Sequence, residues 1–323
     1  MNVLVLGGAG YIGSCCVEIL LSHGCRVTVF DSLVKGHRQA VDPRVEFVQG
    51  DLEDRTALDR VLAGGNFSGV IHFAAFIEAG ESMQDPGRYF RNNLARGLTA
   101  LDALVAHGIP KIVFSSTAAV YGNPAQIPIP ENSPTRPINP YGESKLMFER
   151  VMDWYRRIHG LEYVALRYFN AAGATAEHGE DHHPETHLVP LILQTAAGRR
   201  PAISIFGDDY DTPDGTCVRD YIHVVDLAEA HWLALRSSQT GAFNLGSGSG
   251  YSVRQIVEVA REVTGREIPV EMAPRRPGDP DRLISDSTRA RDLLGWQPGF
   301  DDIRAIVESA WRWRQSHPDG YAG

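Results

Sequence analysis

The chain has 323 residues, 43% hydrophobic and 22% charged, an ordinary balance for a soluble globular protein and enough length for two closely joined lobes. Its 31 basic and 40 acidic residues leave a net charge of -9, which argues against a nucleic-acid or membrane-surface binder, since these usually carry a basic face. No run approaches the ~18 apolar residues of a bilayer span, no basic region marks the opening MNVLVLGGAG as a leader, and Cys15, Cys16, Cys25 and Cys217 are too few and irregular for a disulfide framework or a zinc site, so the expectation is a cytoplasmic protein with buried thiols.

Short β-rich runs alternate with amphipathic stretches through the first half. VLVL (3–6), RVTVF (26–30), VEFVQ (45–49), GVIHFAA (69–75), KIVFSS (111–116) and LEYVALRYFN (161–170) read as strands, with helices predicted at 11–23, 54–63, 88–107 and 140–159. Such alternation requires crossover connections, hence an α/β fold with a doubly wound, mostly parallel sheet of the Rossmann type. Beyond about residue 171 come a polar run, AEHGEDHHPETH, and an acidic, turn-rich loop, GDDYDTPDGT. HVVDLAEAHWLALRSS reads as a helix and GAFNLGSG as a strand. The tail from about 251 reads as two amphipathic helices with ARDLLGW as a short third. The predicted organisation is a dinucleotide-binding lobe over 1–170, joined by part of 217–248, and a smaller mixed α/β lobe over 171–323 interleaved with it.

The turn after the first strand, GGAGYIG, spaces Gly7, Gly10 and Gly13 around Tyr11 and Ile12 as it opens a helix. Glycines allow a tight turn and close backbone approach to a pyrophosphate, and a helix N-terminus offers free N–H groups. Asp31 closes the second strand 18 residues after Gly13, where a carboxylate accepts from an adenosine ribose and repels a 2′-phosphate. This points to NAD over NADP, although Lys35 and Arg38 follow closely. Asp51 and Leu52 end the third strand on the adenine side. Phe73, Ala74 and Ala75 end the fourth, where small residues let a cofactor pass. All these junctions fall on one edge of the sheet, where open parallel sheets bind ligands.

In NPYGESKLMFE (139–149), Pro140 suits a first helical turn and Gly160 a helix stop, so Tyr141 and Lys145 share one face at i and i+4. A tyrosine is ionised to only ~0.1% at neutral pH. A nearby lysine together with an oxidised nicotinamide ring would lower its pKa toward neutrality and make it a general base. FSSTAAVYG supplies hydroxyls at Ser115, Ser116 and Thr117 to meet the same substrate oxygen.

These residues, with RYFNAAGA (167–174), FGDDYDTPDGTCVRDYIHVVD (206–226), FNLGSGSGYSV (243–253) and RRPGD (275–279), resemble the extended short-chain dehydrogenase/reductase family over nearly the full length, most closely its nucleotide-sugar 4-epimerases. The resemblance implies C4 inversion of a UDP-hexose on tightly bound NAD, with Tyr141 as base, Lys145 on the nicotinamide ribose and Thr117 as second hydroxyl. It adds Asn92, Ser115 and Phe169 beside the cofactor. On the substrate side it implies Asn170, His187, Leu188, Ile205, Phe206, Arg219, Tyr221, Arg276, Asp279 and Leu283, and it implies a homodimer through helices near 88–107 and 140–159. Three positions depart from the family pattern. Ile77 replaces a lysine, Thr186 and His187 replace an asparagine pair, and Leu283 replaces the tyrosine of some members, so that a smaller side chain there is expected to admit UDP-N-acetylhexosamines. A 4,6-dehydratase lacks its Asp–Glu pair here, where Ala118 and Ala119 stand. A uronate decarboxylase or epimerase of the same family and a non-catalytic NAD-binding regulator are the rival readings. His178, His182, His183 and His187 stand among acids and can bind a metal, but the run reads as a polar substrate-side loop, and the hydride chemistry needs no metal.

Overall fold

In β1 (Asn2–Leu6), Val3, Leu4, Val5 and Leu6 are all fully buried, so the strand meets an apolar layer on both faces, as in a parallel sheet covered by helices on each side. The computed structural model describes residues 1–276 and 279–321. After β1 come α1 (Tyr11–Ser22), β2 (Arg26–Asp31), β3 (Glu46–Gln49), α2 (Arg55–Gly64) and β4 (Gly69–His72). Two single helical turns, α3 (Ala79–Ser82) and α4 (Pro86–Tyr89), a π-helical turn (Phe90–Ala95) and α5 (Arg96–Ala106) lead to β5 (Lys111–Thr117), α6 (Pro140–His159) and β6 (Glu162–Tyr168). The chain continues through β7 (Asn170–Ala172), α7 (Leu188–Ala196), β8 (Ile203–Phe206), β9 (Val218–His223), α8 (Val224–Arg236) and β10 (Gly241–Leu245). It ends with β11 (Gly250–Ser252), α9 (Val253–Thr264), β12 (Val270–Ala273), β13 (Arg282–Leu283), α10 (Thr288–Leu294) and α11 (Ile303–Ser316).

Seven parallel strands form the main sheet in the order β3-β2-β1-β4-β5-β6-β10. Strand alternation sends Val3 and Val5 to one face, against Val17 and Leu20 of α1 and Leu227 and Ala230 of α8. Leu4 and Leu6 go to the other, against Leu58 of α2, Leu101 of α5 and Phe148 of α6. The order reverses between β1 and β4, and a crevice opens there at the carboxyl ends of the strands. The second lobe packs α7, α9 and α11 around Val189, Ile256 and Ile306, beside a small sheet in which β9 pairs with β7, β11 and β13. Among the described residues, no helix is long and apolar enough to cross a membrane.

Three elements differ from the sequence expectation. The fourth strand stops at His72, so Phe73, Ala74 and Ala75 leave the sheet. The sixth stops at Tyr168, and Asn170 begins β7 in the second sheet. The helix expected over 88–107 is interrupted by the π-helical turn, which carries the Asn93 amide to the Phe76 backbone. Asn93 accepts from Phe76 N at 2.9 Å, donates to Phe76 O at 3.0 Å and donates to Ser144 Oγ at 3.1 Å. Wide helical turns of this kind concentrate at functional sites.

Two acids in the family-like motifs act as scaffolding. Asp220, fully buried, accepts from the backbone N–H of Ser247, Gly248 and Ser285, which binds the glycine-rich end of β10 to β9. Asp226 accepts from Gly299 N at 2.6 Å and Phe300 N at 2.9 Å, tying α8 to the chain ahead of α11.

Candidate active site

The turn from β1 into α1 is shaped by contacts that leave no room for side chains. Gly7 has φ +84, and a Cβ there would lie 2.5 Å from Ala74 N; a Cβ on Gly13 would lie 2.2 Å from Gly7 O. Gly10 is different, because a Cβ there would meet nothing nearer than 3.7 Å. That space belongs to the crevice, and a side chain would fill it. Gly10 caps α1 without a side-chain acceptor, so the first-turn N–H groups face the opening. These features fit a pyrophosphate.

The adenine end is a pocket of about 110 Å³ lined by Gly7, Gly10, Asp31, Asp51, Leu52, Ala74, Ala75 and Asn92 among others. Asp31 accepts from Ala9 N at 2.9 Å and Leu33 N at 2.8 Å, which orients the carboxylate and leaves each oxygen a further lone pair. Burial raises the Asp31 carboxyl, and these two N–H donors offset part of the rise. Lys35 lines the pocket, but its ammonium pairs with Glu78 at 2.7 Å, and Arg38 stacks 4.7 Å over Phe47. A 2′-phosphate would therefore meet a carboxylate with both nearby cations engaged elsewhere, which suits NAD. Asp51 pairs with Arg96 at 2.9 Å, and Asn92 accepts from the same guanidinium at 3.3 Å.

The pocket continues past Gly7 and Gly10 into a cleft of about 640 Å³ that holds Tyr11, Ile12, Gly13, Phe73, Ser115, Thr117, Tyr141, Phe169 and Asn170 in its walls. Alternation along β5 puts Ser115 and Thr117 on the cleft and turns Ser116 into the protein, where its hydroxyl donates to Glu149. Asn139 caps α6 by accepting from Gly142 N at 2.8 Å, Pro140 fills its first turn, and Gly160 ends it at φ 73. The Tyr141 backbone is pinned at both ends. Its N–H donates to Ser82 Oγ at 3.2 Å and its carbonyl accepts from Ser144 Oγ at 2.7 Å.

The tyrosine and lysine share one face of α6, as the spacing requires, with the ammonium directed at the backbone of β5. Lys145 Nζ lies 6.0 Å from the Tyr141 ring centre and donates instead to Ser115 O at 2.7 Å. Burial pushes the Tyr141 phenol up to about 12; hydrogen bonding to Thr117 lowers it, and the Glu78 carboxylate raises it further. Burial also lowers the Lys145 ammonium to about 7, against the pull of Glu149. The i,i+4 spacing fixed the shared face but not the direction of the ammonium, so the lysine alone does not make a phenolate.

On the far side the cleft is lined by His187, Leu188, Phe206, Arg219, Tyr221, Arg276 and Asp279. Arg219 donates to Asp279 at 2.5 Å and to the Pro280 carbonyl at 2.9 Å, while Arg276 stacks 4.0 Å over the Phe206 ring. Pro277 and Gly278 of the RRPGD motif lie outside the described residues. Two expected contacts are absent from the walls. Ile205 is buried at 2% exposure, since alternation along β8 turns Ser204 and Phe206 outward and Ile205 inward. Leu283 packs with Phe169 against the apolar cluster of Ala118, Val120, Tyr121, Ile129 and Leu146. His187 lines the cleft, yet its Nδ1 is engaged 2.9 Å from both Glu180 and Glu185.

Sequence reasoning missed Tyr168, whose hydroxyl donates to Ser115 on the cleft wall, and Arg200, Glu180 and Glu185, which also line it. Glu78 was missed as well. Strand alternation ending at Tyr168 offered a signal for that residue, and the polar run read as a substrate-side loop offered one for Glu180 and Glu185.

The sequence model of the NAD dependent epimerase/dehydratase family matches residues 3–246. The chain belongs to this family. A UDP-glucose 4-epimerase of Lacticaseibacillus casei is 55% identical over 327 residues, covering 99% of each chain. A crystal structure of a UDP-glucose 4-epimerase superposes with TM-score 0.98 at 47% identity, covering 100% of both chains. That of the Bifidobacterium longum UDP-glucose 4-epimerase, in complex with NAD+ and UDP, superposes with TM-score 0.94 at 38% identity over 99% of this chain and 100% of that one. Membership of the NAD dependent epimerase/dehydratase family accords with the glycine cradle, the oriented Asp31 and the paired Lys35.

Proposed function

We propose that this protein is a UDP-glucose 4-epimerase that interconverts UDP-galactose and UDP-glucose on NAD that stays bound through the cycle. The observation that carries the reading is the continuous cleft. It runs from the glycine turn, past the hydroxyls of Tyr141 and Thr117, to Arg219 and Arg276. The names of the full-length relatives agree with it.

Bound NAD would supply a hydride acceptor that later returns the hydride to the same carbon. The residues of the chain do the rest. Asp31 holds the adenosine ribose, and the N–H groups of α1 hold the pyrophosphate. Lys145 keeps donors for the second ribose beside its bond to Ser115 O. Tyr141 removes the proton of the sugar 4-hydroxyl, and Thr117 shares that oxygen. Arg276 and Arg219 grip the diphosphate of the substrate, which suits guanidinium forks. Holding the UDP end while leaving the 4-keto sugar free to turn lets the second face be reduced. Dehydration would need a further acid and base beside Thr117, where Ala118 and Ala119 stand.

Purified protein incubated with UDP-galactose and no added NAD is expected to yield a mixture containing UDP-glucose, read by resolving the product hexoses. Unchanged UDP-galactose from protein that still carries NAD would instead support a non-catalytic binder. The homodimer is part of the same proposal. The outer face of α6 leaves Trp154 and Ile158 60% and 66% exposed, apolar surface suited to a second copy. Sedimentation is expected to give twice the 35.5 kDa of one chain, with a shift toward that mass on Trp154→Glu.

A further inference from the structure

The polar run between β7 and α7 brings together four side chains that ligate metals. One donor atom from each of Glu180, His182, Glu185 and His187 lies within 4.8 Å of all the others. His187 Nδ1 is 2.9 Å from Glu180 Oε1; His182 Nδ1 is 3.3 Å from that oxygen and 3.7 Å from Glu185 Oε2. Tetrahedral zinc bonds imidazole nitrogen and carboxylate oxygen at ~2.0–2.2 Å, which places its ligand atoms about 3.3–3.6 Å apart. The separations in the cluster bracket that shell.

A second observation points the same way. The Glu185 side chain is 5% exposed, and its two oxygens are treated differently. Oε1 accepts from Thr186 N at 2.7 Å and His187 N at 2.8 Å and lies 2.9 Å from His187 Nδ1, while the buried Oε2 has no hydrogen-bond partner. The buried Nδ1 of His182, facing it, also has none. Buried polar atoms are rarely left unpaired. Backbone donors that fix one carboxylate oxygen and leave the other free are the outer-shell arrangement of a metal ligand.

We propose that Glu180, His182, Glu185 and His187 hold a zinc-class divalent cation through Nδ1 of both histidines and one oxygen of each carboxylate. Two imidazoles and two carboxylates suit zinc over a soft, thiolate-seeking ion. Four protein ligands fill a tetrahedral shell, so the ion is structural and not a Lewis acid for the hydride chemistry. All four residues line the cleft, His187 immediately precedes α7, and the His182 ring meets Tyr11 of the glycine turn edge-on at 6.2 Å. The ion would therefore fasten the substrate-side loop over the start of α1.

The test uses the whole protein, stripped with a chelator and titrated with cobalt(II). Uptake of about one equivalent with the strong visible absorption of tetrahedral cobalt, bleached by zinc, is expected. Crystals soaked in zinc should give an anomalous peak between His182 Nδ1 and His187 Nδ1. Glu185→Gln and His182→Gln are expected to lose the visible band. Wild-type protein that takes up no cobalt, gives only an octahedral spectrum, or places the anomalous peak elsewhere overturns the proposal. So does a band that survives both substitutions. If either variant does not fold, the wild-type titration and the anomalous map decide the matter.

Discussion

Tyr141→Phe is expected to lower turnover of UDP-galactose by ~10²–10⁴-fold, the usual contribution of a positioned general acid–base, while NAD remains bound. The phenol starts from an unfavourable place. At a pKa of about 12, only ~10⁻⁵ of it is ionised at pH 7. The Lys145 ammonium is turned toward Ser115 O, burial opposes ionisation most strongly, and the hydrogen bond with Thr117 offsets only part of it while Glu78 adds to the rise. A cation on the cleft side of the ring is needed, and oxidised nicotinamide carries one. Ionisation of the phenol should therefore depend on the cofactor's redox state. The chain has 11 tyrosines, so the difference between wild-type and Tyr141→Phe ultraviolet titrations isolates this one. The midpoint is expected near 12 without cofactor and well below it with NAD+. Because the ionised form is the base, kcat should rise with pH up to the lower midpoint. A midpoint unmoved by NAD+ would remove Tyr141 from the role of base.

Arg167→Met is expected to destabilise the fold by ~3–5 kcal/mol, the typical cost of breaking a buried ion pair from one side. Arg167 and Glu149 are 7% and 6% exposed, and three guanidinium–carboxylate hydrogen bonds of 2.6 to 3.2 Å join β6 to α6. Arg167 also donates to the Tyr121 hydroxyl at 2.9 Å, and that hydroxyl donates to Asn244 of β10 at 2.7 Å. Removing the guanidinium leaves a carboxylate in the interior with Ser116 as its remaining side-chain partner. Urea unfolding with an unchanged slope should report the loss as a lower midpoint. The double variant Arg167→Met with Glu149→Leu should recover much of it, because no charge is then left unpaired. A loss below ~1 kcal/mol in the single variant would place the pair among the weak, solvent-screened ones.

What could be read from the sequence was local. The glycine turn, Asp31 and the caps of α6 announce themselves because backbone conformation and helix ends favour particular residues at particular offsets. Alternation also distinguishes Ser115 and Thr117 from Ser116, and applied to β8 it would have set Ile205 aside. Direction within a face was not legible. The i,i+4 rule puts Lys145 beside Tyr141, but only the position of β5 in space brings Ser115 O within reach of the ammonium. Partners distant in sequence were hidden too. Glu149 and Arg167 look like ordinary charged residues until α6 lies on β6, and Glu78 sits in a segment without periodicity. The run around 180–187 showed its histidines and acids in the sequence, but which four of them converge, Glu180, His182, Glu185 and His187, was set by the path of the loop.

The position of β10 has a consequence for synthesis of the chain. Residues 241–245 are the last strand to join the main sheet, and they pair with β6, which ends at Tyr168. While the intervening stretch is still emerging from the ribosome, β6 carries an open row of backbone donors and acceptors, a template for adhesion between nascent chains. A fragment truncated near residue 170 would keep that edge permanently, so the larger lobe is poorly suited to expression on its own.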